Sequence, residues 1–182
     1  MPMQKMSKQK GQPQGLTLIE LLIVIAILGI MAGMTMSALG KYIPDYRLQS
    51  AARELYANMH KAKMEAIKRN TDVKVDFDVN NSQYSISFED KDENTVNINV
   101  VNLSKYDNYV SYGIGNADYK NTNELVSYQY DKACFNSQGT TCSVSYVGYV
   151  YLTNTKGNTF AVGSLNSGVI LLSKWINGKW SE

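Results

Sequence analysis

The sequence predicts an α+β fold in which a long N-terminal helix packs on an antiparallel β-sheet. Three observations lead to this prediction. The chain is almost continuously apolar from Leu16 to Leu39. A helical stripe of apolar residues then continues to about residue 70, and beyond it apolar residues recur at every second position. One long helix followed by a series of short strands is the pattern of an α+β domain.

The first apolar segment has the length of a membrane-spanning helix. At about 1.5 Å per residue it reaches roughly 36 Å, and a bilayer core is about 30 Å thick. Before it lies a polar leader with Lys5, Lys8 and Lys10 and no acidic residue. This asymmetry predicts a cytoplasmic leader and an exported C-terminal part.

Glu20 distinguishes this segment from simpler export signals. A cleaved secretory signal needs small residues at its cleavage site, and Met36-Ser37-Ala38 has a bulky Met there. A plain signal anchor leaves Glu20 unexplained, since a carboxylate inside an apolar segment costs about 1 to 3 kcal/mol. A secreted soluble binding protein, the third alternative, requires cleavage beyond Leu39.

Proteolysis would provide Glu20 with a partner. A cut between Gly15 and Leu16 creates an α-amine four residues before Glu20. If the two groups lay about 4 Å apart on neighbouring subunits, they would attract by about 4 kcal/mol at an effective dielectric near 20, before desolvation. The Glu20 carboxylate, which is costly in a monomer, would then fix the register between neighbouring subunits of an assembly.

Residues Gly15 to Glu20, "GLTLIE", resemble the class III signal of type IV pilins and type II secretion pseudopilins. The resemblance implies that prepilin peptidase cuts after Gly15, that the amine of Leu16 is methylated, and that Glu20 acts in assembly. The family usually has Phe at the first mature position, where this chain has Leu16.

The same resemblance implies a division into three parts. These are a leader peptide, 1–15, a transmembrane and assembly helix, 16–40, and a periplasmic pilin-like domain, 41–182. The mature protein is expected in the bacterial inner membrane as a single-pass protein with its C-terminal domain in the periplasm, and in a pilus or pseudopilus after assembly. Loss of the leader lysines changes the formal net charge from +2 to −1, so no strong basic field remains.

The helix is expected to continue past the apolar segment. Pro44 lacks the amide that would bond to the Gly40 carbonyl, which predicts a kink or local melting. Beyond it an apolar stripe recurs at spacings of 4, 3, 4, 3 and 4, and we predict its burial against the chain's own sheet: Leu48, Ala52, Leu55, Met59, Ala62 and Ala66. Polar residues, Asn58 among them, cover the remaining surface, and His60 at the edge of the stripe is interpreted as solvated. The helix should end near Asn70.

Alternation predicts the strands. Val73–Val79 and Tyr84–Phe88 form a hairpin through Asn80-Asn81-Ser82, and Val96–Val100 adds a third strand. Four more are expected, at Leu125–Tyr130, Val144–Leu152, Thr159–Leu165 and Val169–Trp175. Lys105–Asn123 is interpreted as a long loop.

Later segments narrow the resemblance to the GspH/FimT pilins. "KAKMEAIKRNTDVKV" resembles the helix-to-strand junction of that subfamily, and "FNSQGT", "GYVYLTNTKGNTFAV" and "SGVILL" resemble its later strands. The resemblance implies a minor pilin or pseudopilin that primes or caps a fibre, with other pilins, prepilin peptidase and the inner membrane as partners. A major pilin that builds the shaft is the alternative, and the sequence does not separate a pilus from a secretion system.

The sequence offers little chemistry. Cys134 and Cys142 enclose a short loop, and an oxidising periplasm favours a disulfide over a free or metal-bound pair. CxxC spacing is absent, and His60 lies far away in sequence, which disfavours zinc. Asp76, Asp78 and Asn80 are spaced like calcium ligands, but Asn81 and Ser87 stand where an EF-hand needs Gly and Glu. The acidic hairpin tip, Glu89 to Glu93, leaves calcium open. We expect no cofactor and no catalytic residues, because no catalytic grouping is recognisable.

The C-terminal tail is a candidate DNA contact. Lys174, Lys179 and Trp180 combine cations with an aromatic ring, as single-stranded nucleic acid binding requires. Some FimT-like pilins take up DNA through a Gly-Arg-x-Arg motif, and here Gly178-Lys179-Trp180-Ser181 lacks both arginines. The alternative is a terminal hairpin with Trp175 in the core, and we favour it over a DNA-uptake pilin.

Overall fold

The computed structural model describes residue 15 and residues 17–90, 92–120 and 123–181, without the side chains of residues 35–39. It divides the chain into two units, Met1–Gly40 and Lys41–Glu182. A single helix, α1, runs from Leu18 to Arg69, so the predicted end near Asn70 is confirmed. Judged on the described residues, no helix is both long enough and apolar enough to cross a membrane.

Among the described residues, nine strands follow the helix. The bounds are β1 Val73–Asp78, β2 Gln83–Glu89, β3 Thr95–Asn102, β4 Val110–Tyr112, β5 Lys132–Phe135, β6 Gly148–Asn154, β7 Thr159–Ser164, β8 Ile170–Ile176 and β9 Lys179–Ser181. They form two antiparallel sheets, ordered β3-β2-β1-β5 and β4-β6-β7-β8-β9. The predicted α+β class is therefore confirmed, and the strands divide between two sheets where the sequence predicted one.

One core joins the helix and both sheets. The six residues of the predicted stripe are at most 1% exposed, and they pack with inward side chains of both sheets. Val73, Val75 and Phe77 alternate with half-buried residues along β1, as the predicted period of two requires. Half of the stripe is alanine, and this short side chain allows the backbone of α1 to approach the sheets closely.

Several strand predictions were wrong. Leu125–Tyr130 is not a strand: Val126 forms an isolated bridge to Val150, and Tyr130 has a φ of 58°, which a strand does not allow. The strand predicted from Val144 begins only at Gly148, because Ser143 accepts a hydrogen bond from the Ser145 amide and caps a 3₁₀ turn.

Two short strands were missed: β4 lies inside the predicted loop, and β5 pairs with β1. Each has three or four residues, which is too few for alternation to be recognised.

The predicted terminal hairpin is confirmed, since β9 pairs with β8. In that hairpin Trp175 lies half-buried on the surface of the sheet against Trp180, with ring centroids 5.2 Å apart, so its predicted place in the core is wrong.

Two polar residues of α1 are more buried than predicted. Asn58 is 9% exposed, and its Nδ2 donates to the Tyr84 hydroxyl at 2.8 Å. Burial raises the pKa of Tyr84 well above its ordinary value, so its hydroxyl stays protonated. His60 is half-buried with its ring edge-on to Tyr56 at 4.6 Å, and its buried Nε2 has no hydrogen-bond partner among the described residues.

We expect His60 to make folding weakly pH-dependent. Burial, followed by the positive charge of Lys63, lowers its pKa below 6.5. The unfolded chain therefore takes up a proton first, and stability falls as the pH drops through about 6.5. His60→Phe keeps the ring contact with Tyr56 and removes the titration. Urea unfolding of this variant between pH 5.5 and 7.5 should show a flatter pH dependence than wild type. Since His60 is the only histidine, an unchanged slope would contradict the assignment.

Candidate functional site

The N-terminal segment presents an apolar helix with one acid in its first turn. Ten large apolar side chains between Leu18 and Ile30 are 45 to 80% exposed. Glu20 is exposed as well, and its backbone amide donates to the Thr17 hydroxyl at 3.3 Å. Thr17 is thus the N-cap of α1, and Glu20 occupies the third helical position, where a negative charge suits the helix dipole. The Thr-x-x-Glu spacing is a capping-box signature that our sequence reading missed.

The predicted cleavage point lies just before this cap. Gly15 is exposed and non-helical, and a Cβ added to it would meet no atom within 4 Å. Nothing in the described fold thus requires glycine at this position. Leu16, the predicted methylation site, lies outside the described residues. Because Thr17 follows the predicted cut, cleavage would leave the helix cap intact.

Asp45 of α1 accepts hydrogen bonds from three residues at the β6–β7 turn. Its Oδ1 accepts from Asn154 at 2.8 Å and Asn158 at 2.6 Å, and its Oδ2 accepts from Lys156 at 2.9 Å. Burial alone would raise the pKa of Asp45, but these hydrogen bonds and the lysine charge outweigh burial and hold the pKa below its ordinary value. The cluster fastens the β6–β7 turn to α1.

The same lysine supports α1 next to Pro44. Lys156 also donates to the Lys41 carbonyl, three residues before the proline. The helix is continuous through Pro44, and the predicted local melting is wrong. The carbonyl that Pro44 leaves without an amide partner is that of Gly40, so the lysine binds the neighbouring carbonyl and does not replace the lost bond.

Further polar contacts fix the loop after β3 to the other side of α1. Lys105 pairs with Glu54 at 2.5 Å, and Arg47 pairs with Asp107 at 2.8 Å. The Tyr106 hydroxyl also donates to Glu54. Within the second unit, the strands and loops are therefore held to the amphipathic part of α1 by apolar packing and by ion pairs at its margins.

Cys134 and Cys142 form a disulfide, as predicted, with Cα atoms 5.5 Å apart. The Asn136 side chain orders the enclosed loop by accepting from the amides of Gln138 and Thr140. Asp72 lies near the two sulfurs, and this is the one group with metal-ligand spacing among the described residues. Because the sulfurs are bonded to each other, they are not available as thiolate ligands.

The acidic residues are used in turns and ion pairs. At the predicted calcium-like spacing, Asp78 accepts from the backbone amide of Asn81 at 3.0 Å and closes the β1–β2 turn. At the acidic tip, Asp90 accepts from the amides of Asp92 and Asn94, both at 2.9 Å. Glu89 pairs with Lys74 at 2.6 Å. These contacts account for the acids as structural residues.

Of the three candidate DNA contacts, Lys174 and Lys179 lie on one face of the β8–β9 hairpin and Trp180 lies on the other face. Trp180 is half-buried, and its Nε1 donates to the Asp118 carbonyl at 2.9 Å. Its ring lies 5.8 Å from that of Tyr151, within a second apolar cluster on the outer face of the sheet. Lys174 lies over the Phe160 ring at 5.7 Å, and Lys179 is exposed. Trp180 is thus engaged in packing, which disfavours its use as a base-stacking platform.

Comparisons with known proteins agree with this arrangement. The family model for type II transport protein GspH matches residues 51–168, and that for the prokaryotic N-terminal methylation motif matches residues 10–36. The pilin-like protein PilA1 of Thermus thermophilus is 43% identical over 58 residues. That match covers 31% of this chain and 35% of PilA1.

The fold is also similar to a solved structure. The minor pseudopilin EpsH from the type 2 secretion system of Vibrio cholerae has a TM-score of 0.51 at 13% identity, over 69% of this chain and 95% of that one. The GspH match takes in the stripe of α1 from Ala52 onward, the first sheet, the disulfide loop and β7. The chain therefore belongs to the GspH family and carries the prokaryotic N-terminal methylation motif.

Proposed function

We propose that the chain is a minor pilin or pseudopilin subunit that is cut by prepilin peptidase, methylated at Leu16 and assembled into a fibre with other pilins. The exposed apolar helix with Glu20 in its first turn carries this proposal. Ten exposed large apolar side chains are costly in water, and a lipid environment followed by packing against neighbouring subunits removes that cost. The membership in the GspH family and the methylation motif support it.

Before assembly, residues 16–40 anchor the protein in the inner membrane and the second unit lies in the periplasm. The disulfide is consistent with an oxidising compartment. In the fibre the subunit primes or caps the filament and does not build its shaft. The similar fold of EpsH, a minor pseudopilin, is consistent with this part of the proposal.

Processing gives the first test. Mature protein should begin at Leu16 with a methylated amine, which intact mass and N-terminal peptide analysis of membrane fractions would show. Gly15→Val should leave the leader attached, because the described fold offers no reason for glycine there other than recognition by an enzyme. Gly29→Val is the matched control, since Gly29 also has open space around it. A mature N-terminus beyond Leu39 would contradict the proposal.

A further inference from the structure

A groove in the second unit lies beside two exposed tyrosines. Tyr42 and Tyr46 are 71% and 70% exposed and stand one turn apart on the same face of α1. The groove, which we call the tyrosine groove, has a volume of about 280 Å³ and is lined by Tyr42, Asp45, Tyr46, Leu48, Gln49, Asn158, Phe160 and Lys174. Two adjacent tyrosines exposed to this degree indicate a contact surface.

The polar groups of the groove that remain outside the Asp45 cluster can all donate hydrogen bonds. Asp45 is the one acid in the lining, and both of its oxygens already accept bonds from Lys156 and two asparagines. The remaining polar groups are two phenol hydroxyls, the Gln49 amide and the Lys174 ammonium. Such a set, with one uncompensated positive charge, suits a phosphate anion.

The position of the groove in the chain indicates the source of that anion. Tyr42 follows the proposed membrane segment by two residues, and Lys41 stands between them. Tyrosine and lysine are the residues that settle at the boundary between lipid and water, with the ring among the headgroups and the amine toward phosphate. The groove therefore begins where the headgroup layer is expected.

We propose that the tyrosine groove binds the phosphate headgroup of an anionic phospholipid at the membrane surface before the subunit joins a fibre. This inference rests on the proposed function, because residues 16–40 must anchor the chain for the groove to meet the bilayer. Tyr42 and Tyr46 flank the headgroup, and Lys174 supplies the charge that selects an anionic lipid over a zwitterionic one. Binding holds the second unit at the membrane surface in one orientation.

The test measures exposure of the tyrosines in bilayers. Full-length protein is placed in nanodiscs of phosphatidylcholine, with or without phosphatidylglycerol, and labelled by hydroxyl radicals before mass spectrometry. Phosphatidylglycerol should slow the oxidation of Tyr42 and Tyr46 by at least about threefold, the effect expected of one lysine near an anionic surface. Tyr130, which is 74% exposed and outside the groove, is the internal control and should not change.

Variants separate the effect of the Lys174 charge from that of the proposed membrane anchor, residues 16–40. Lys174→Gln should abolish the effect of phosphatidylglycerol, whereas Lys68→Gln, at a side chain that is 76% exposed and outside the groove, should preserve it. Equal oxidation in the two lipids, protection seen only in fibres, or equal protection by soluble glycerol phosphate in lipid-free detergent would each overturn the lipid assignment. Retention in the discs with unprotected tyrosines overturns this inference alone, and loss of the protein from the discs overturns the proposed anchor as well.

Discussion

Glu20→Val is expected to be inserted and cleaved nearly normally and yet to be missing from the fibre. The carboxylate lies in the first turn of α1, near the surface of the proposed membrane segment, so its removal does not hinder insertion. Its expected partner is the amine of Leu16, which exists only after cleavage and belongs to a neighbouring subunit. Loss of the acid leaves that amine unpaired in the packed assembly, where an uncompensated charge costs several kcal/mol.

The comparison is between processed protein in membranes and protein recovered in sheared fibres or crosslinked to partner pilins. We expect incorporation to fall at least tenfold, which corresponds to about 1.4 kcal/mol. Glu20→Asp keeps the charge and should retain part of the incorporation.

Thr17→Ala is the control for helix capping, the other role of the first turn of α1. It removes the hydroxyl that caps the Glu20 amide and leaves the carboxylate in place. A helix cap is worth about 1 kcal/mol, so this variant should assemble better than Glu20→Val. If the two variants fail equally, the defect lies in the start of the helix. Wild-type incorporation of Glu20→Val would show that the charge pair is dispensable.

Gly168→Ala is expected to destabilise the second unit severely. Gly168 has a φ of +73°, and a Cβ added to it would lie 1.9 Å from the Gly139 carbonyl oxygen, a backbone atom of the disulfide loop. The Gly168 carbonyl also accepts from Lys63 of α1 at 3.0 Å. The backbones of the β7–β8 turn and the disulfide loop therefore meet at this residue, and the Lys63 side chain joins the turn to α1. We expect a loss of at least about 3 kcal/mol in the free energy of unfolding.

Gly178→Ala separates the steric clash of the added Cβ from the strain of the left-handed backbone conformation. Gly178 has nearly the same backbone conformation, with a φ of +78°, but no atom lies within 4 Å of an added Cβ. This variant should therefore cost only the strain of a left-handed residue, about 1 kcal/mol. Urea unfolding followed by tryptophan fluorescence would measure both. Equal losses in the two variants would show that the contact with Gly139 contributes nothing.

Periodic segments of the sequence were sufficient to predict most of the fold. The stripe from Leu48 to Ala66 and the alternation in β1 are buried as predicted, since each repeats over enough residues to identify one face. The disulfide followed from two cysteines eight positions apart in a chain with export signals. The resemblance to pilins was recognised from "GLTLIE", and that to the GspH/FimT pilins from later segments, because each is a contiguous run of residues that is recognisable without the fold.

Tertiary structure alone decided the features made by residues far apart in sequence. The division into two sheets and the strands β4 and β5 depend on which segments become neighbours, and three or four residues carry no periodic signal of their own. The contact of Lys156 with α1 beside Pro44 joins residues more than 100 positions apart. The burial of Asn58 and His60 likewise follows from what packs over them. A local pattern determines which face of an element is buried, but only the packed chain determines what covers that face, and for this reason the tyrosine groove could not be predicted from sequence.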